Sequence, residues 1–266
     1  MKHLPAILRI PFLFLNLFCG LLPSFAFFVW VERNASLPLI GIQFHWPWVD
    51  LAQSSRLMRS LMDLSLFLSF GVIHSLFAQN SIHRLVKKFL PWQTIRSFYI
   101  VVTGVSLVLL MGSWQSTGVV IWALPLSLSV IYALSISLFW FFLAISGWTL
   151  RSFDFLHFVG LKQLYQSDPN SPALVGTQAL CKKGLYSYAR HPVYFFTLLA
   201  FLITPVMTLD RLIILAGSLL YLAFGIPLEE KKLIALFGSA YVEYQKETPA
   251  LFPTQLLTKL FTSKQA

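Results

Sequence analysis

From Ser97 to Leu150 the chain runs for 54 residues without an Asp, Glu, Lys or Arg. A soluble domain draws about a quarter of its residues from the charged types, so no water-facing surface can be built from such a stretch. A membrane span takes roughly 20 apolar residues. The stretch therefore holds two spans, joined by a turn near Gln115–Gly118. Ile10–Val31 is another uncharged run, of 22 residues. Leu61–Ala78 is nearly apolar but carries Asp63 and His74. Val193–Leu209 and Leu212–Leu228 are shorter runs, split only by Asp210 and Arg211. The expectation is an all-α, polytopic membrane bundle of about six spans. Composition agrees, with 57% hydrophobic and 11% charged residues. Pro125, Pro205 and Gly104 lie in or beside spans, where lipid-embedded helices tolerate them. The first run follows the basic Lys2 and Arg9. It is longer than the apolar core of a signal peptide and lacks a small-residue cleavage site, so it reads as a span.

The net charge of +10 is unevenly placed. With six spans, 16 of the 20 Lys and Arg fall on the side holding the N-terminus, residues 80–96, 151–192 and the tail. Arg33, Arg56, Arg59 and Arg211 fall on the other. The positive-inside rule then puts both termini in the cytoplasm. Topology accounts for the basic charge, and no compact basic domain exists to bind nucleic acid. Cys19 lies in a span and Cys181 on the cytoplasmic side, so a disulfide is not expected, and neither has a metal-ligand spacing.

Residues 1–59 read as an N-terminal span with an extracytoplasmic loop, and 60–266 as the core. Within the core, Ser167–Pro172 (SDPNSP) is a loop signal. Arg151–Gln166 reads as a helix end, a turn at Gly160 and an interfacial segment. Glu229–Lys246 reads as an amphipathic cytoplasmic helix. Its Leu233, Leu236, Phe237, Ala240 and Tyr244 recur at steps of three and four, and Pro249 and Pro253 end it.

Ionisable residues inside spans are costly and so are candidates for function. Asp63 and His74, eleven residues apart, share a helix face about 16 Å apart. Asp63 reads as an outer-interface residue, and His74 either as a hydrogen-bonded group within the bundle or as a pocket wall. Arg190 and His191 stand where the fifth span begins. Alone, Arg190 could be an anchor in the phosphate layer, and Glu229–Glu230 could be acids decorating a helix N-terminus. A hairpin of spans five and six, turning at Thr208–Arg211, brings the two pairs to one cytoplasmic face. Guanidinium, imidazole, tyrosines and two carboxylates then converge. They suit a zwitterionic cytosolic ligand, with Arg for a carboxylate and Glu for an ammonium or ribose hydroxyls.

The segments carrying these residues are Gly184–Tyr194 (GLYSYARHPVY) and Pro227–Pro253 (PLEEKKLIALFGSAYVEYQKETPALFP). They contain R-H-P-x-Y, E-E-x-x-L and F-G-x-x-Y-x-x-Y in order. The pattern resembles the integral-membrane methyltransferase superfamily of isoprenylcysteine carboxyl methyltransferases and phospholipid methyltransferases. Val72–Val86, Arg96–Trp114, Phe153–Tyr165 and Thr204–Leu215 are similar to its NnrU-like, nurim-like branch, which includes thiol methyltransferases. The resemblance spans about residues 60–253.

The resemblance implies S-adenosylmethionine as cofactor, bound within residues 184–246. Arg190, His191 and Tyr194 would line its pocket, with Tyr186 and Tyr188 nearby and Glu229 and Glu230 facing them. It makes His74, Asp154 and Gln163 candidates for the acceptor side. The implied reaction is in-line methyl transfer to a small thiol such as methanethiol. Lipid or prenyl-cysteine acceptors, or a non-enzymatic nurim-like role, are the alternatives. A thiol must lose its proton to become the nucleophile, and either His74 or His191 could take it. Animal nurim-like proteins depart from the E-E pattern, whereas this chain keeps both acids. Phe195–Phe196 stand where many superfamily members carry a small residue. A bacterial inner membrane is the favoured location, with endoplasmic reticulum or nuclear envelope as the alternative.

Overall fold

The computed structural model describes residues 4–36, 53–150, 155–166 and 180–253. Asp154 and the Ser167–Pro172 loop lie outside them. Among the described residues, five helical segments are long and apolar enough to cross a membrane: Ala6–Glu32, Arg56–Phe77, Trp92–Ser113, Ser129–Thr149 and Leu209–Phe237. The protein is an integral membrane protein.

The first segment comprises α1 (Ala6–Phe14), a π-helical stretch over Leu15–Leu21, and α2 (Leu22–Ser36). Pro11 inside α1 removes a backbone donor just before the ladder widens. Next come α3 (Arg56–Phe77), the short α4 (Asn80–Val86), α5 (Ile95–Ser113), β1 (Val120–Ala123) and α6 (Ser129–Thr149). Two single-turn helices, α7 (Phe155–Phe158) and α8 (Leu161–Leu164), follow. Then come α9 (Pro192–Leu202), β2 (Val206–Thr208), α10 (Leu209–Phe237) and α11 (Ser239–Glu247).

Two elements differ from the sequence expectation. The fifth span is an 11-residue helix, α9, about 16 Å long, rather than a full crossing over Val193–Leu209. The chain then extends, and β2 pairs antiparallel with β1, Ala123 facing Val206 and Val120 facing Thr208. A helix ending at that depth leaves carbonyls that lipid cannot satisfy. Arg211 supplies the donors. Its Nε donates to Phe201 O at 2.9 Å and its Nη2 to Ala200 O at 3.2 Å. Asp210 and Arg211 therefore form no turn. They lie buried in the first turn of α10, whose N-cap is Thr208.

The second difference is that α10 does not stop at Leu228, where the sixth apolar run ends. It continues for 29 residues to Phe237, about 43 Å, and the break falls at Gly238, where φ is +61°. The expected Glu229–Lys246 helix is thus divided between the end of α10 and α11. Glu229 and Glu230 are mid-helix residues, not a helix N-terminus.

The core sits at the end bearing β1 and β2, where Trp30, Trp114, Phe139, Phe201 and Ile214 pack together. The turn after α5 is held there by carboxylates. Asp63 Oδ1 accepts from Gln115 N at 2.8 Å, and Asp210 Oδ1 accepts from Thr117 N at 3.0 Å. Asp63 is fully buried against the turn that joins α5 to β1. Helices α3 and α10 approach closely because glycines accept the opposing rings. A Cβ on Gly71 would lie 2.7 Å from the Tyr221 ring, and one on Gly217 would lie 2.7 Å from the Phe67 ring. Cys19 and Cys181 are both free.

Candidate active site

The end opposite that core gathers the start of α9, the last third of α10, and α11. Successive helical residues diverge by about 100°, so Glu229 and Glu230 address different neighbours.

Glu230 is the centre of a buried ionic cluster. Its Oε1 accepts from Arg190 Nε at 2.7 Å and from His191 Nε2 at 3.1 Å. Gln245 Nε2 donates to its Oε2 at 2.7 Å, and Tyr241 OH approaches Oε1 at 3.5 Å. Arg190 Nη1 also donates to Gln245 O at 3.0 Å and to Thr248 O. The backbone joins in, Arg190 N donating to Pro249 O and His191 N to Ala250 O, each at 2.9 Å. The segment after α11 is thereby strapped across the start of α9. Tyr244 OH donates to Tyr186 O, tying α11 to the residues before α9.

Glu229 behaves differently. Its side chain is 43% exposed, and its Oε2 accepts from Tyr194 OH at 2.7 Å. His191 Nδ1 lies 3.7 Å from the same oxygen. The Tyr194 and His191 rings stack at 5.4 Å. His191 thus has a carboxylate beside each ring nitrogen.

Two cavities flank this arrangement. One, of about 290 Å³, lies between α9, α10 and α11, and its walls include Arg190, His191, Tyr194, Glu229, Tyr186 and Tyr241. The other, of about 420 Å³, lies between α3 and α10, and its walls include His74, Ser75, Tyr221, Gly225, Tyr194 and Glu229. Burial pushes the Tyr186 phenol up to about 12 and raises Tyr241 and Tyr244 as well. Beside the Arg190 guanidinium, which is bound to Glu230, the first cavity is walled by neutral hydroxyls and aromatic faces around the accessible Glu229 carboxylate. Such walls favour a cation.

Of the residues expected at the site, Tyr186, Arg190, His191, Tyr194, Glu229 and Glu230 come together. Tyr188 is exposed and lies outside the walls of both cavities. His74 lies in the second cavity, whose walls also include Tyr194 and Glu229, with Tyr99 OH 2.8 Å from its Nε2 and Thr103 Oγ1 3.2 Å from its Nδ1. Gln163 is buried with its amide donating to His157 O at 2.8 Å, and it lines neither cavity. Sequence reasoning missed Gln245, Tyr221 and the Pro249–Ala250 carbonyls. Tyr241 and Tyr244 were legible as the two tyrosines of the F-G-x-x-Y-x-x-Y run.

These features define a polytopic helical membrane protein with a buried polar site at one end of its bundle. The profile of a family described as a protein of unknown function (DUF1295) matches residues 77–248, and the chain belongs to that family. Among its relatives, the methanethiol S-methyltransferase of Pseudomonas deceptionensis is 33% identical over 199 residues, covering 73% of this chain and 72% of that protein. The methanethiol S-methyltransferase of Mycobacterium tuberculosis is 32% identical over 201 residues, covering 73% and 78%. Nurim of Mus musculus is 28% identical over 194 residues, covering 70% and 72%. No solved structure matches the chain. The likeness to the membrane methyltransferases and the nurim-like branch read from the motifs agrees with these relatives.

Proposed function

We propose that the protein is a membrane methyltransferase that uses S-adenosylmethionine to methylate a small thiol, with methanethiol as the leading acceptor. The relatives named methanethiol S-methyltransferase support the reaction. The observation that carries it to this chain is the accessible Glu229 carboxylate, set among tyrosines beside the buried Arg190–Glu230 cluster. The nurim-like reading is less favoured, because both acids are present and partnered.

The residues present fit the cofactor in chemistry. At about 290 Å³ the first cavity is near the lower end of small-molecule sites, which run from about 300 to 1,000 Å³. Glu229 and the tyrosine faces would hold its cationic part, and Leu233 and Phe237 offer apolar wall for its base. When bound, S-adenosylmethionine supplies a methyl group already activated on a sulfonium.

The protein's own task is then positioning and exclusion of water, which can contribute about 7–11 kcal/mol. The strap from Thr248 to Ala250 and the aromatic walls perform it. Arg190 spends Nε and Nη1 on protein acceptors, so its main service is to hold Glu230 and α11 in place. His191, set between two carboxylates, orients Tyr194 by stacking. Orientation with this site and both termini in the cytoplasm accords with the charge distribution and with cofactor supply.

The test is direct. Purified protein in detergent, given S-adenosylmethionine and methanethiol, is expected to release dimethyl sulfide detectable by gas chromatography. Absence of both cofactor binding by calorimetry and product would refute the assignment. Cofactor binding without thiol turnover would move the acceptor to lipids or prenyl-cysteine.

A further inference from the structure

Two reacting ligands must meet at one point, and the two cavities have only Tyr194 and Glu229 in common among the residues that line them. The second cavity follows the repeat of α10. Tyr221, Gly225 and Glu229 lie on its wall at steps of four, and such steps share a helix face. Gly225 leaves that face open, with only Tyr221 near the place a Cβ would occupy.

Several polar groups of this cavity already have protein partners. Ser75 Oγ and Tyr221 OH lie 3.0 Å apart, and His74 is held by Tyr99 and Thr103. Leu222 and Leu228 supply apolar wall, and Lys231 and Lys232 also line the space. A thiol is a small, mostly apolar molecule whose reactive form is an anion. Nearby lysines favour that form. Glu229 lines both cavities, and the second differs from the first in adding Lys231 and Lys232 and in lacking the tyrosine faces of Tyr186, Tyr241 and Tyr244.

We infer that the cavity between α3 and α10 is the acceptor chamber for a small thiol, with the Tyr194–Glu229 pair as the wall it shares with the cofactor cavity. This rests on the methyltransferase reading above. The chamber gives the acceptor its own space, so that each ligand's affinity can be altered without the other's.

Gly225→Leu tests it. A Cβ at Gly225 would meet the Tyr221 ring at 3.6 Å, an ordinary contact, and the remaining carbons would enter the cavity. The apparent KM for methanethiol should rise by about tenfold or more, and propanethiol turnover should fall further still. The calorimetric Kd for S-adenosylmethionine should stay within about twofold. Gly225→Ala adds only the accommodated methyl and should fall between wild type and Gly225→Leu, which keeps the test usable if the larger variant folds poorly. Val193→Phe, on the wall of the first cavity alone, should do the reverse, weakening cofactor binding. The chamber is overturned if Gly225→Leu or Gly225→Ala weakens cofactor binding as strongly as it affects the thiol, or if neither changes thiol kinetics in a wild-type-competent background. A wild type that binds no S-adenosylmethionine instead overturns the methyltransferase reading and the chamber with it.

Discussion

Arg190 and Glu230 stand 40 residues apart in sequence and meet at 2.7 Å, their side chains only 10% and 11% exposed. Removing one partner of a buried pair strands the other's charge, at about 3–5 kcal/mol. Arg190→Met or Glu230→Met should therefore lower the unfolding temperature in detergent sharply. The double variant should cost less than the two singles together, because neither charge is left alone. Additive losses in a thermal-unfolding series would show that the pair is not coupled.

Glu229 offers the contrasting case. Glu229→Gln keeps an acceptor for Tyr194 OH but removes the accessible charge. The unfolding temperature should hold nearly constant, while cofactor affinity falls by about tenfold or more, equivalent to ~1.4 kcal/mol. Calorimetry on the folded variant checks this. An unchanged Kd would take Glu229 out of cofactor binding.

Arg211 secures the other end of α9. Arg211→Met leaves the Ala200 and Phe201 carbonyls without those donors in an apolar setting, and about 1–3 kcal/mol should be lost for each acceptor stranded. Arg211→Lys should recover only part of that loss, because an ammonium cannot present the guanidinium fork. Unfolding of the two variants in mixed micelles would rank them. Equal stability for Arg and Lys would argue that charge alone matters.

Gly71 and Gly217 set the separation of α3 and α10. Gly217→Ala places a methyl against the Phe67 ring, where a Cβ would lie at 2.7 Å, and overpacking should cost about 1–3 kcal/mol. Phe67→Leu in the same chain should restore part of it. Gly71→Ala should push the Tyr221 ring toward the second cavity, raising thiol KM more than cofactor Kd. Steady-state kinetics beside calorimetry would separate the two effects.

The convergence of Arg190 and His191 with Glu229 and Glu230 was legible because connected antiparallel helices bring their open ends together whatever the connection looks like. The form of that connection was not. Asp210 and Arg211 interrupt an apolar run and so read as a turn, yet a charged pair can stay in the helix when buried backbone carbonyls and amides receive it. Glu229 read as the start of a new helix after the Leu212–Leu228 run, which broke the register between Tyr221 and Glu229 and hid the second cavity. Lipid-embedded helices carry an internal proline without stopping. The strap of Pro249 and Ala250 acts through main-chain carbonyls, which any side chain could accompany, so no residue type announces it. Tyr188 and Gln163 show the converse: adjacency to a motif did not turn their side chains to the cavities.

Helix α10 holds both ends of α9. Arg211 and Glu230 are 19 positions apart on one rod, about 28 Å, and each grips an end of the shorter helix. Axial sliding of α9 would have to break one attachment to relieve the other. Its translational freedom is therefore removed, and the bonds of Tyr194 OH to Glu229 and of Ser146 Oγ to Val193 O fix its rotation as well. A single inserted residue in α9 should be far more damaging than most substitutions there, since no loop lies between the two anchor points to absorb the extra rise.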